Sequence, residues 1–139
     1  MSPQAAAGYS GTPLWKKLGL KAGHRVRPHQ PPSDYARLLA PIPDGVVFSA
    51  RLRRDIDLWH LFTRRRRELE RLLPTAMAQI RRDGMIWVSW PKRVSGVDTD
   101  VTEDTVREVA LPIGLVDVKV CAVDATWSGL KLVIRKELR

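Results

Sequence analysis

From Met85 to Trp90 the chain is apolar at nearly every position, and the run Met85-Ile86-Trp87-Val88-Ser89-Trp90 stops at Pro91. A segment apolar on both of its alternating faces predicts a central strand covered by helices on each side of a sheet. Upstream, Leu69, Leu72, Leu73, Ala76, Met77 and Ile80 recur at three- and four-residue spacing and predict a long amphipathic helix opened at Thr63. Pro74 lies inside it, removes the bond to the carbonyl of Glu70, and predicts a kink. Asp83-Gly84 predicts the turn from this helix into the strand.

The remaining pattern supplies the neighbours. Thr12, Pro13 and Gly19 bracket a short helix whose stripe is Leu14, Trp15 and Leu18. His24-Arg25-Val26-Arg27 predicts a weak first strand, since Val26 is its one strong strand former and Pro28 cannot donate to a ladder. Ser33 is placed to cap a helix through Tyr35, Leu38 and Leu39. Val46-Val47-Phe48 and Asp57-Leu58-Trp59-His60-Leu61-Phe62 predict a second and a third strand. A helix begun at Thr102 turns Val106, Val109 and Ala110 inward and stops at Pro112 and Gly114. Strands over 116–123 and 130–135, around the loop 124–129, predict an antiparallel hairpin. Strands alternating with helices give an α/β fold, a minimal Rossmann-like, mostly parallel sheet with that hairpin at its C-terminal end. The expected organisation is a flexible tail over 1–11 and one domain over 12–139.

This order of elements resembles the C-terminal part of a class I methyltransferase fold, whose last two strands also pair as an antiparallel hairpin. The stretches Tyr9-Ser10-Gly11-Thr12-Pro13-Leu14-Trp15-Lys16-Lys17-Leu18-Gly19, Trp87-Val88-Ser89-Trp90-Pro91-Lys92 and Trp127-Ser128-Gly129-Leu130-Lys131 resemble a family of small uncharacterised bacterial proteins, frequent in actinobacteria. That resemblance spans almost the whole chain after the tail. It implies a fold and no activity. Relatives carry a more apolar first strand than Arg25-Val26-Arg27-Pro28-His29.

Composition changes the picture in one respect. Lys+Arg 24 against Asp+Glu 15 gives a formal net charge of +9, a field that draws anionic partners. A solvated arginine-rich surface with no polyanion behind it is the plainer reading of the same surplus. Cys121 is the single cysteine, so no intramolecular disulfide forms, which suits a reducing compartment. No apolar stretch approaches the roughly 20 residues that span a bilayer. The expected setting is cytoplasmic, with no membrane contact.

The residues argue against several chemistries. A cofactor-binding turn of this architecture brings backbone N–H groups close to the ligand, and an acidic residue after a later strand takes the ribose. Here the turn is Gln30-Pro31-Pro32-Ser33, where two prolines remove two donors, and Arg51 and Arg53 stand where the acid belongs. No cofactor is therefore expected, neither S-adenosylmethionine nor NAD. The three histidines lack ligand spacing, so no metal is expected. Asp98, Asp100, Glu103 and Asp104 lack the glycine of a calcium loop, and suit instead the dipole of the helix begun at Thr102. Ser89 and Cys121 read as packed side chains, leaving no catalytic residue assigned.

Ligands of open α/β sheets settle beyond the carboxyl ends of the strands. Trp90, Lys92, Arg93 and Ser95, with Arg51 nearby, form the candidate site for a small planar anion, held by stacking and charge. Trp90 packing the end of the sheet, with Lys92 solvated, is the competing reading. Arg64, Arg65, Arg66 and Arg67 form the candidate contact for the alternative partner, nucleic acid. The third possibility is a small enzyme, degenerate and methyltransferase-like, acting on an anionic substrate.

Overall fold

The computed structural model describes residues 11–139, so the tail expected over 1–11 lies, apart from Gly11, outside the described residues. Six strands form one sheet: β1 (Arg25–His29), β2 (Val47–Phe48), β3 (Ile56–Phe62), β4 (Ile80–Pro91), β5 (Leu115–Ala122) and β6 (Trp127–Ile134), in the order β2-β1-β3-β4-β6-β5. The first four are mutually parallel, and β6 inserts antiparallel between β4 and β5. Only β6 runs backwards. The mostly parallel sheet with a terminal hairpin is thus present.

Among the described residues four α-helices cover the sheet: α1 (Leu14–Leu18), α2 (Tyr35–Leu39), α3 (Arg66–Gln79) and α4 (Glu103–Ile113). Strand alternation divides β4 between two cores. Ile86, Val88 and Trp90 join Trp59 and Leu61 of β3 beneath Leu69, Leu72 and Leu73 of α3 and Val106 and Ala110 of α4. Met85 and Trp87 join Leu58 and Phe62 on the other face, beneath Leu14 and Leu18 of α1 and Tyr35 and Leu39 of α2. The chain steps from β1 to β2 with α2 on one face, and in the opposite direction from β3 to β4 with α3 on the other. Right-handed crossovers demand that reversal of faces.

The cover is unequal. The core under α3 and α4 contains no residue of β1 or β2. The crossover from β2 to β3, residues 49–55, has no helix. It passes over β1 on that face, where Arg27 Nη1 donates to Leu52 O (2.8 Å). Arg27 and His29 therefore lie outside that core and meet only the edge of α3, where Gln79 Oε1 accepts from Arg27 Nη1 (3.0 Å) and Glu68 Oε2 lies 3.8 Å from His29 Nε2.

Several boundaries differ from the sequence reading, each for a physical reason. Asp83-Gly84 does not turn a helix into a strand: α3 ends at Gln79, and β4 begins at once with Ile80 paired to Ile56. The register then shifts, so that Leu58 faces Met85 and residues 81–84 bulge out. A Cβ on Gly84 would stand 2.9 Å from Ile56 O and 3.0 Å from Arg81 O, so this glycine serves close backbone approach. The long helix starts at Arg66, not Thr63, because the Thr63 hydroxyl accepts from the Arg65 N–H (3.2 Å) in a turn of its own. β6 begins at Trp127, three residues before the predicted strand, because Ser128 and Gly129 pair with Trp90 and Ser89.

The weak first strand is formed. Its odd residues face β3, and its even residues face β2, as the bond from Ser49 N–H to Val26 O (3.0 Å) shows. Pro28 thus directs its missing donor past the end of β2, which pairs with Arg25 and Val26 alone. No ladder bond is lost.

Candidate cleft at the sheet switch point

The order β2-β1-β3 places the point where the chain reverses direction between β1 and β3. A crevice opens there outside the carboxyl ends of open α/β sheets. The structure has a cleft of about 510 Å³ at this place. Gln30 follows β1, Phe62 ends β3, and Thr63, Arg64 and Arg65 follow it. Glu68 of α3, Val97 and Trp127 close the remaining sides.

Its walls are built locally. Gln30 takes φ 51, a left-handed conformation uncommon outside glycine, which turns the chain sharply away from β1 into Pro31-Pro32. Phe62 and Trp127 meet edge to face with centroids 5.1 Å apart, giving the cleft an aromatic wall. On the cationic side, Arg65 Nη2 donates to Asp98 Oδ2 (2.6 Å). The hydrogen bond and charge of Arg65 hold the Asp98 carboxyl below the usual carboxylate range. Among the described residues no carboxylate pairs with Arg64. Its backbone is nevertheless held, since the Thr99 hydroxyl (2.8 Å) and the Asp100 N–H (3.1 Å) both donate to Arg64 O.

Asp100 Oδ1 also accepts from the Arg66 N–H (2.7 Å), at the first residue of α3. Asp98 and Asp100 therefore serve the start of α3, and it is Glu103 and Asp104 that lie in the first turn of α4. Thr102 caps α4 reciprocally with Thr105. No group of three or more histidine, cysteine or carboxylate side chains is placed to hold a metal ion among the described residues.

Beside the cleft, His29 stacks on Trp59 with centroids 5.6 Å apart. Its Nε2 is buried without a hydrogen-bond partner and lies 3.8 Å from Glu68 Oε2. Burial pushes the imidazole below its usual range, Glu68 pulls it back, and Arg27 and Arg71 push it further down. Arg27 lies over the same indole, its Cζ 4.9 Å from the ring centroid.

The sequence-derived candidates are scattered around this cleft. Trp90 is buried in the core under α3 and α4. Lys92 is half-buried, its N–H bonded to Thr126 O (2.7 Å). The Ser95 hydroxyl donates back to Lys92 O (2.6 Å), and Arg93 is exposed between them. Arg51 is exposed on the crossover, its N–H held by the Ser49 hydroxyl (3.1 Å). None of these five lines the cleft, whereas Arg64 and Arg65 do. Arg65 and Arg67 also line an adjoining hollow of about 470 Å³ with Arg71. Arg66 turns away to Glu108 (2.6 Å) and Glu70 (3.1 Å). Gln30, Phe62, Glu68, Val97 and Trp127 were not singled out as ligand contacts. The switch-point rule finds them once the strand order is known.

Comparisons add family and fold. Residues 54–136 match a family described as "Protein of unknown function (DUF3052)", a span that holds every cleft residue except Gln30. No curated protein matches the chain. Among solved structures, the Methanococcus jannaschii fibrillarin pre-rRNA processing protein is similar at a TM-score of 0.54 and 11% identity, over 96% of this chain and 73% of that one. The fold is methyltransferase-like.

Proposed function

The chain belongs to the DUF3052 family, and we propose that it is a small-anion-binding protein whose ligand lies in the cleft between β1 and β3. The observation that carries this is the meeting of an aromatic wall, Phe62 and Trp127, with the Arg64 side chain in one crevice at the switch point. An indole offers a stacking surface, and a guanidinium offers a forked donor to phosphate or carboxylate. A volume of about 510 Å³ suits a ring bearing one anionic group. With Pro31 and Pro32 in the turn after β1, recognition falls to side chains, and S-adenosylmethionine and NAD are not the ligands proposed. The lone thiol of Cys121, half-buried and pushed up in pKa by that burial, fits a cytoplasmic setting. A binding role is favoured over catalysis because the Thr63 hydroxyl in the cleft lining donates to Arg65 O (3.2 Å) rather than to a base.

Calorimetric titration with adenosine monophosphate, phenyl phosphate and uncharged adenosine tests this. The two anions bind one-to-one, adenosine binds at least tenfold more weakly, and Arg64→Ala removes that preference. Absence of heat with both anions at millimolar concentration overturns the reading.

A further inference from the structure

The cleft is one end of a longer cationic surface. Arg27 Nη1 donates to Leu52 O (2.8 Å), which places Arg27 beside exposed Arg53 on the crossover. His29, two residues beyond Arg27, lies 3.8 Å from Glu68, which is three residues before Arg71 on α3. Arg71, Arg67 and Arg65 share the adjoining hollow, and Arg65 and Arg64 share the cleft. These contacts lead from the β2–β3 crossover, past Arg27 and His29 at the edge of α3, along the first turns of that helix. Arg67 and Arg71 are one helical turn apart, a rise of about 6 Å.

Two neighbouring arginines off the track are paired with acids. Arg107 meets Glu103, Asp104 and Asp117, and Arg66 meets Glu70 and Glu108. Along the track, among the described residues, no carboxylate pairs with Arg53, Arg64, Arg67 or Arg71. Its acids are Glu68, which faces His29, and Asp98 and Asp100, which are engaged by Arg65 and the start of α3.

We infer that this track takes a single-stranded nucleic acid, with phosphates along Arg53, Arg71, Arg67 and Arg64 and one base against Trp127 in the cleft. Charge complementarity selects a polyanion. The recessed aromatic wall selects an unpaired strand, because a base inside a duplex cannot reach it, whereas a single-stranded base stacks readily. Seating the base rests on the reading of the cleft given above; the phosphate track stands on the arginines alone.

Fluorescence anisotropy with 12-nucleotide single strands, deoxy and ribo, and with the matching duplex tests the inference. Four phosphate contacts give a slope of log affinity against log salt of about −2.8. Arg53→Ala with Arg71→Ala flattens it by about 1.4, since each lost contact removes about 0.7. Both residues are exposed, and circular dichroism melts verify that the double variant is folded. That variant leaves adenosine monophosphate binding unchanged, while Trp127→Ala weakens strand and mononucleotide together. No strand binding at low salt, equal affinity for the duplex, or an unchanged slope in the double variant overturns the inference. Strand binding with the expected slope but no mononucleotide binding supports the track and removes the small-ligand reading. Mononucleotide binding with no gain for the longer strand does the reverse.

Discussion

His60 Nε2 lies 2.8 Å from Ser89 Oγ, across the β3–β4 boundary and wholly out of solvent. The other ring nitrogen, Nδ1, lies 2.9 Å from the Tyr35 hydroxyl of α2. Each nitrogen meets a hydroxyl that can give or accept, so the neutral ring is satisfied in either tautomer. Burial pushes the His60 pKa from 6.5 down to about 3. The stability carried by the neutral ring is therefore whole above pH 6.5 and drains away as pH falls toward 3. Denaturant melts between pH 7 and 4 should lose a few kcal/mol from this source. A His60→Gln variant, less stable at pH 7, should show a flatter profile. An equal slope in both proteins assigns the acid sensitivity elsewhere.

Trp87 joins the sheet to α1. Its side chain is fully buried, and its Nε1–H donates to Leu18 O (2.9 Å) at the end of that helix. Trp87→Ala should cost about 3–5 kcal/mol, a large fraction of the roughly 5–15 kcal/mol a domain has. Lys92→Ala, beyond the end of the same strand, should cost under about 0.5 kcal/mol. Urea midpoints of the two variants separate these values.

Gly84→Ala places a methyl group against the carbonyls of Ile56 and Arg81 at about van der Waals overlap. Backbone must shift to admit it, and the cost should be about 1–3 kcal/mol. Gly96→Ala has open space around the new Cβ but keeps φ 74, so it should cost about 1 kcal/mol. Thermal melts give the ranking, and the order reverses if the bulge is soft.

Asp98→Asn should strengthen anion binding a few-fold, because Arg65 then turns its whole charge to the cleft. The same calorimetric titration used for Arg64→Ala reads this out. Unchanged affinity means that the ligand does not feel Arg65.

Much of this fold could be read from residue order. The apolar run through Trp87 and Val88 identified the strand on which both cores rest, and Thr102 and Gly114 bracketed α4. The failures have a common cause. Asp83-Gly84 carries turn chemistry, yet its backbone is wedged against Ile56, a partner 28 positions earlier on β3. Thr63 has the chemistry of a cap, yet Asp100 receives the first N–H of α3 from the far side of β4. The cleft was invisible for the same reason: Gln30, Phe62 and Trp127 stand at the ends of three different strands, and only the strand order brings them together. Arg64 and Arg65 were visible as charge but not as a wall.

The β1–β2 half of the sheet, which lies outside the core under α3 and α4, also divides the molecule by local stability. β3, α3 and β4 follow one another directly and bury both faces, whereas β1 reaches β3 only after residues 30–55 have been placed, and β2 offers two paired positions. Amide hydrogen exchange should therefore report two classes, with slow exchange in β3 and β4 and faster sub-global opening of β1 and β2. The cleft lies along that seam. Gln30 belongs to the part that opens first, and Phe62 and Thr63 to the part that opens last. A ligand gripping both sides would slow exchange in β1 by its own binding free energy while leaving β4 amides limited by global unfolding. Occupancy would then be recorded in the protection of Val26 and Arg27, residues that never touch the ligand.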